Sequence, residues 1–168
     1  MPRTPIAGKV VVSIVTAIVQ VSPPAWRLEY DVRNAGGAVI WLVIDDSLMF
    51  RQVGRHIELS YARAKMQPGA QVFGYFDPEV VAIPPGGSVR RSVAISWPCR
   101  LSEIWNDQRE ATPPPGEYEV SVRVGVASTA APKSPTVGEG VEAHVLRWQE
   151  EAVSPPVRIA IPPYPSSH

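Results

Sequence analysis

Polar and apolar residues alternate along this chain in short runs separated by Gly, Pro and Asn. The clearest run is 26–33, where Trp26, Leu28, Tyr30 and Val32 share one parity and Arg27, Glu29, Asp31 and Arg33 the other. Successive side chains of a strand point to opposite faces, so this pattern predicts a strand buried on one side and wet on the other. The same rule selects 88–97, where Val89, Arg91, Val93, Ile95 and Trp97 oppose Ser88, Arg90, Ser92, Ala94 and Ser96. It also selects 117–126, with Tyr118, Val120, Val122 and Val124 inward. Residues 10–21 and 38–44 are nearly continuous apolar runs rich in β-branched residues, which predicts strands with little solvent contact. Further strands are predicted at 48–53, 57–64, 80–83, 141–148 and 153–161, with 72–76 a short aromatic strand or an ordered loop.

The breaks between runs carry turn chemistry. Asn34-Ala35-Gly36-Gly37 joins 26–33 to 38–44, and because Asn and Gly tolerate positive φ it predicts a β-hairpin. Gly54-Arg55 predicts a second hairpin, and Gln67-Pro68-Gly69, Pro84-Pro85-Gly86-Gly87 and Pro113-Pro114-Pro115-Gly116 mark further turns. In the connection from Pro98 to Pro115, residues 101–109 predict one or two helical turns capped by Ser102. Residues 128–140, rich in Ser, Thr, Ala, Pro and Gly, read as a mobile loop, and 162–168 as a stiff Pro-rich tail. The result is an all-β chain of about eight to ten short strands with no helix of ordinary length. Residues 1–168 form one expected domain, its core spanning about 9–161.

Composition narrows the function classes. Hydrophobic residues are 45% and charged residues 19% of the chain, a globular balance. Sixteen basic residues offset sixteen acidic ones, and no basic run exceeds Arg90-Arg91, so neither nucleic acid nor an anionic membrane surface is an expected partner. The apolar run 10–21 is shorter than the ~20 residues that span a bilayer. It is β-branched and interrupted by Ser13, Thr16 and Gln20, and reads as a first strand rather than a secretory core. Cys99 is the only cysteine, so no internal disulfide forms; this favours a reducing, cytoplasmic compartment while leaving a secreted or periplasmic one open.

Candidate chemistry is sparse. His56 sits at a turn, His144 in a strand and His168 at the C-terminus, without the short repeated spacings of a zinc site. Cys99 has an adjacent Arg100 but no partner base in the pattern. Asp45-Asp46 and Asp77-Pro78-Glu79 lack calcium-loop spacing and read as turn residues. Neither a Gly-x-Ser-x-Gly elbow nor a phosphate-cradling loop occurs. The expectation is a non-enzymatic protein with no catalytic, cofactor or metal site. Trp26, Trp41 and Trp97 fall at core positions, whereas Trp105, Trp148 and Tyr164 are the candidate contacts for a partner, expected to be another protein.

Pro115-Gly116-Glu117-Tyr118 places a tyrosine at the opening of a late strand just after a Gly/Pro turn, the position of a tyrosine corner, a stability device of immunoglobulin-like sandwiches. Together with Asn34-Ala35-Gly36, Pro85-Gly86-Gly87, and Trp97 or Trp105, it resembles the pattern of bacterial immunoglobulin-like domains. Over residues 26–127 it resembles most the intracellular proteinase inhibitor (BsuPI-like) family. The resemblance implies an immunoglobulin-like antiparallel sandwich and, as one function, inhibition of a proteinase through an exposed loop. The candidate loops are 98–115 and 128–140, although no inhibitory motif stands in either. A protein-interaction module remains the leading expectation, with a carbohydrate-binding module as a further alternative, since exposed aromatics on one sheet face can stack on a sugar ring.

Overall fold

The computed structural model describes residues 12–22, 25–45, 48–62, 79–96, 99–100, 110–130 and 149–164. Among them the chain forms strands and no helix. Alternation becomes geometry first in β2 (Ala25–Asn34), whose Trp26, Leu28, Tyr30 and Val32 are buried while Arg27 and Arg33 are exposed. It pairs antiparallel with β1 (Val12–Ser22) on one side and β7 (Ser88–Ser96) on the other, making a three-stranded sheet.

The second sheet is built around β10 (Gly116–Ala127), whose Tyr118, Val120, Val122, Val124 and Val126 point into the core. One neighbour is β5 (His56–Ser60), parallel to β10 and joined by a tight turn to β4 (Met49–Val53). Further along, β10 meets β3 (Ile40–Val43), which carries β6 (Val80–Ile83) on its far side. Antiparallel to β10 lie β11 (Glu150–Val153) and β12 (Val157–Ile161). A two-residue ladder, β8 (Cys99–Arg100) with β9 (Glu110–Ala111), closes the ends of the connection after β7. Local pattern favours antiparallel neighbours and gives no cue to the parallel β5–β10 contact.

The inward rows of the two sheets meet in one apolar cluster, in which Leu28 and Val32 of the first sheet share the core with Leu59, Val122 and Val124 of the second. Burying each such side chain contributes roughly 1.5–3 kcal/mol. Tyr30 and Tyr61 stack across the gap with centroids 5.9 Å apart. Arg91 stands in the inward row of β7 and donates from Nη2 to the Ile44 carbonyl at 3.0 Å, so its charge is used between the sheets. Trp26 is in the core as expected, but Trp41 is not: β3 buries Ile40 and Leu42, and the opposite parity leaves Trp41 half-buried on the outer face.

The hairpin expected at Asn34–Gly37 does not form. Instead β2 and β3 belong to different sheets, and the connection crosses between them. A two-residue primed hairpin needs positive φ at its centre, and neither Gly36 nor Gly37 adopts it. Asn34 accounts for the alternative. Its side chain is fully buried and Nδ2 donates to the Ala38 and Ile83 carbonyls at 2.7 and 2.9 Å. Its Oδ1 accepts from the Gly36 amide at 2.9 Å, an Asx turn. Its own backbone joins the other crossover: Asn34 N–H donates to Gly87 O, and Gly86 N–H donates to Asn34 O, each at 3.0 Å. That second crossover, β6 to β7, is the Pro84–Gly87 turn, closed by Gly87 N–H on Pro84 O, with Gly86 at φ +74 as a type II turn requires.

The expected strand 153–161 is split. Ser154-Pro155-Pro156 separates β11 from β12, and the pairing shifts by one residue across it, from Arg123↔Val153 to Val120↔Val157. Prolines carry no amide to continue a ladder. Ser154 repairs the break by donating its amide to Val122 O at 2.8 Å and accepting the Val122 amide on Oγ at 2.9 Å.

Two stability predictions follow the geometry. Asn34→Ala leaves the Ala38 and Ile83 carbonyls and the Gly36 amide without their partner, and is expected to cost about 3 kcal/mol or more in urea unfolding at unchanged slope. A cost below about 1 kcal/mol contradicts the role assigned to Asn34. Ser154→Ala removes one buried hydrogen bond and is expected to cost about 1–2 kcal/mol by the same measurement.

Candidate functional site: the groove at the start of β10

The start of β10 is where several unrelated segments converge. Glu119 N–H donates to Arg55 O at 2.9 Å, which ties the β4–β5 turn to β10. The Arg55 guanidinium then lies over the Tyr118 ring, 5.5 Å from its centroid. Gly116 makes that approach possible: at φ +146 it has no side chain, and a Cβ there would sit 2.6 Å from Arg55 Nη1. On the other side of β10, Glu119 faces Arg158 and Tyr118 faces Ile159. The result is an open groove of about 490 Å³ lined by Arg55, Glu117, Tyr118, Glu119, Arg158 and the β12 backbone at Ile159 and Ala160.

The charges here are loosely held. Arg158 reaches Glu119 only at 3.7 Å, with side chains 90% and 50% exposed. A pair so exposed is worth little, so redirecting Arg158 to another anion costs little. Arg55 and Glu117 form no ion pair among the described residues. Tyr164 is not among the lining residues. It packs against the core cluster, and its buried hydroxyl has no hydrogen-bond partner among the described residues. Burial, and secondarily the neighbouring Tyr118, push its phenol pKa up.

Of the residues singled out from sequence, Tyr118 lines this groove and Tyr164 does not. Tyr118 is buried at the opening of β10, and its hydroxyl makes no hydrogen bond among the described residues. Tyr164 is half-buried against its own core. Trp105 and Trp148, with Trp97, His144, His168, the helical turns at 101–109 and the strands at 72–76 and 141–148, lie outside the described residues, as does 131–140 of the predicted loop. Arg55 and Gly116 stand out in the sequence only as turn residues and Arg158 not at all, because the groove depends on a parallel contact between strands far apart in the chain.

Two other clusters come from the outer face of the same sheet. His56 opens β5 rather than occupying the turn, and its Nε2 lies 3.0 Å from Ser121 Oγ. Ser121 is only 2% exposed, so its hydroxyl is closed to a substrate and the contact satisfies a buried polar group. Asp45 Oδ1 accepts the Glu79 amide at 2.9 Å, a loop-closing contact. Among the described residues no three of His, Cys, Asp and Glu converge as metal ligands, and no helix is long and apolar enough to cross a membrane.

The second cluster is an ion network. Arg123 grips Glu58 with both Nε and Nη2, at 3.0 and 2.9 Å, and Glu151 with Nη1 at 2.6 Å. This charge-assisted fork holds the Glu58 carboxyl below its usual range, against the opposing effect of burial. A carboxylate with a depressed folded pKa stabilises the fold above its unfolded pKa, and that contribution fades as pH falls through the folded value. Between neutral pH and about pH 3 the parent protein is therefore expected to lose more stability in urea unfolding than Glu58→Gln. Equal losses would remove Glu58 from the acid response.

No protein-family model, no characterised protein and no solved structure matches this chain.

Proposed function

We propose that this chain is a non-enzymatic protein-interaction module on an immunoglobulin-like frame, and that the groove between Arg55 and Arg158 receives its partner. The frame is supported by strand order: β1-β2-β7 opposite β3, β10 and β11/β12 corresponds to strands A-B-E opposite C-F-G, with β4 to β6 as an insertion between C and E. One observation carries the binding reading, the groove itself, where an aromatic and aliphatic floor lies between two guanidinium groups that have few competing partners. Arginine and tyrosine beside apolar surface are the residues that dominate protein recognition energetically. The presence of Glu117 and Glu119 favours a partner segment carrying both signs of charge over a purely anionic ligand.

Proteinase inhibition rests on the resemblance described above, and most of the two loops it would use lies outside the described residues. A panel of serine, cysteine and metalloproteinases tests it directly.

Affinity capture from the native lysate, run in parallel with three proteins, tests the groove. Parent and Arg27→Glu, a control on the outer face of the other sheet, are expected to recover the same partner. Arg158→Glu is expected to lose at least about tenfold of it, as for truncation of a charged contact at an interface. Equal recovery by all three contradicts the groove as the binding site.

A further inference from the structure

The open edges of the two sheets are not alike. A β-strand edge exposes unpaired amides and carbonyls and templates further pairing unless something blunts it. The β11–β12 edge is broken by Ser154-Pro155-Pro156. The β4 edge is five residues long, and β6 is four residues long and runs into Pro84-Pro85. The pairing of β1 with β2 is interrupted by a register shift between Ile18 and Gln20. Among the described edges only β7 lacks such a device. It runs nine residues without proline, in unbroken register with β2 from Arg33↔Ser88 to Ala25↔Ser96, and among the described residues it is paired on that side alone.

Arginines at an edge usually repel a neighbour, and β7 has two. Both are turned away from the open side. Arg90 is drawn over its own sheet by Asp31, which takes Nε and Nη2 at 3.0 Å each. Arg91 reaches across the sandwich to the Ile44 carbonyl. The outward row is otherwise Ser88, Ser92, Ala94 and Ser96, small side chains that obstruct nothing. The inward row is less covered toward the edge: Val89 and Val93 are half-buried, whereas their β2 partners Val32 and Leu28 are 0% and 1% exposed.

We propose that β7 is a self-association edge, on which β7 of a second copy pairs antiparallel about a two-fold axis at Ser92. The register follows from charge. A two-fold axis at Arg91 sets guanidinium opposite guanidinium, which is destabilising. At Ser92 each Arg90 faces Ala94 of the other copy and each Arg91 faces Val93, so no like charges oppose, and all nine residues pair, Ser88 meeting Ser96. The half-buried valines then gain a neighbour, and the two three-stranded sheets become one of six.

This register makes one position its own partner. Directly opposed residues in an antiparallel pair have Cα atoms about 4.5–5.5 Å apart, within the roughly 4.4–6.8 Å span of a disulfide. Under mild oxidation, Ser92→Cys is expected to give a covalent dimer at least about tenfold faster than Ser96→Cys or the parent with Cys99 alone. Both substitutions are at exposed positions, and sedimentation of the reduced parent is expected to show a concentration-dependent dimer. Ala94→Arg, also exposed, sets a second guanidinium opposite each Arg90 of the other copy and is expected to weaken that dimer by about tenfold or more. A protein that stays monomeric with no preferential cross-link at position 92 overturns the proposal. So does a dimer that cross-links no faster through position 92 than through position 96, since its interface lies elsewhere.

Discussion

One buried side chain, that of Asn34, links two of the three places where the chain passes between the two main sheets. Strands packed face to face gain their stability from a shared core, but burial is non-directional and does not fix which strand enters which layer. Hydrogen bonds at the crossovers do. Asn34 satisfies the Ala38 and Ile83 carbonyls, the Gly36 amide and, through its own backbone, the Gly86–Gly87 step. The departure of β3 from β2 and the arrival of β7 beside β2 are therefore settled together. Replacing Asn34 by an apolar residue of similar size would fill the space but leave three groups without their partner, the buried Ile83 carbonyl among them, a cost that burial does not offset.

Much of this architecture is legible in the chain, because a strand buried on one face must alternate. The runs around β2, β7 and β10 stand within a residue or two of their predicted limits. Asn-x-Gly-Gly suits a primed hairpin in isolation, but the actual path at Asn34 depends on Ile83 and Gly87, which lie about fifty positions away. The outer-face position of Trp41 is not legible in the sequence, because β3 is apolar on both faces and parity does not say which side is inward. The break at Ser154 was visible only as two prolines, and its repair by a hydroxyl is a tertiary contact.

The groove shows the same division. Tyr118 could be found from its turn, but the residues that surround it come from a hairpin tip and a final strand with no pattern in common. Gly116 serves two needs at one position, an unusual φ and room for the Arg55 guanidinium. The β10 strand thus holds the core on its inward face, an ion network through Arg123 on the other, and the groove where it begins. The proposed binding groove and the core draw on the same strand at different residues, so changes at Arg158 test that proposal while leaving the core untouched.

Because Asn34 joins both crossovers, they should loosen as one unit. Native-state amide hydrogen exchange on Asn34→Ala tests this most directly. The expected result is that the Gly36 amide and the Gly86 and Gly87 amides lose protection together, although only Gly36 was bonded to the deleted side chain. Loss confined to Gly36, with the Pro84–Gly87 turn as protected as in the parent, would contradict the linkage.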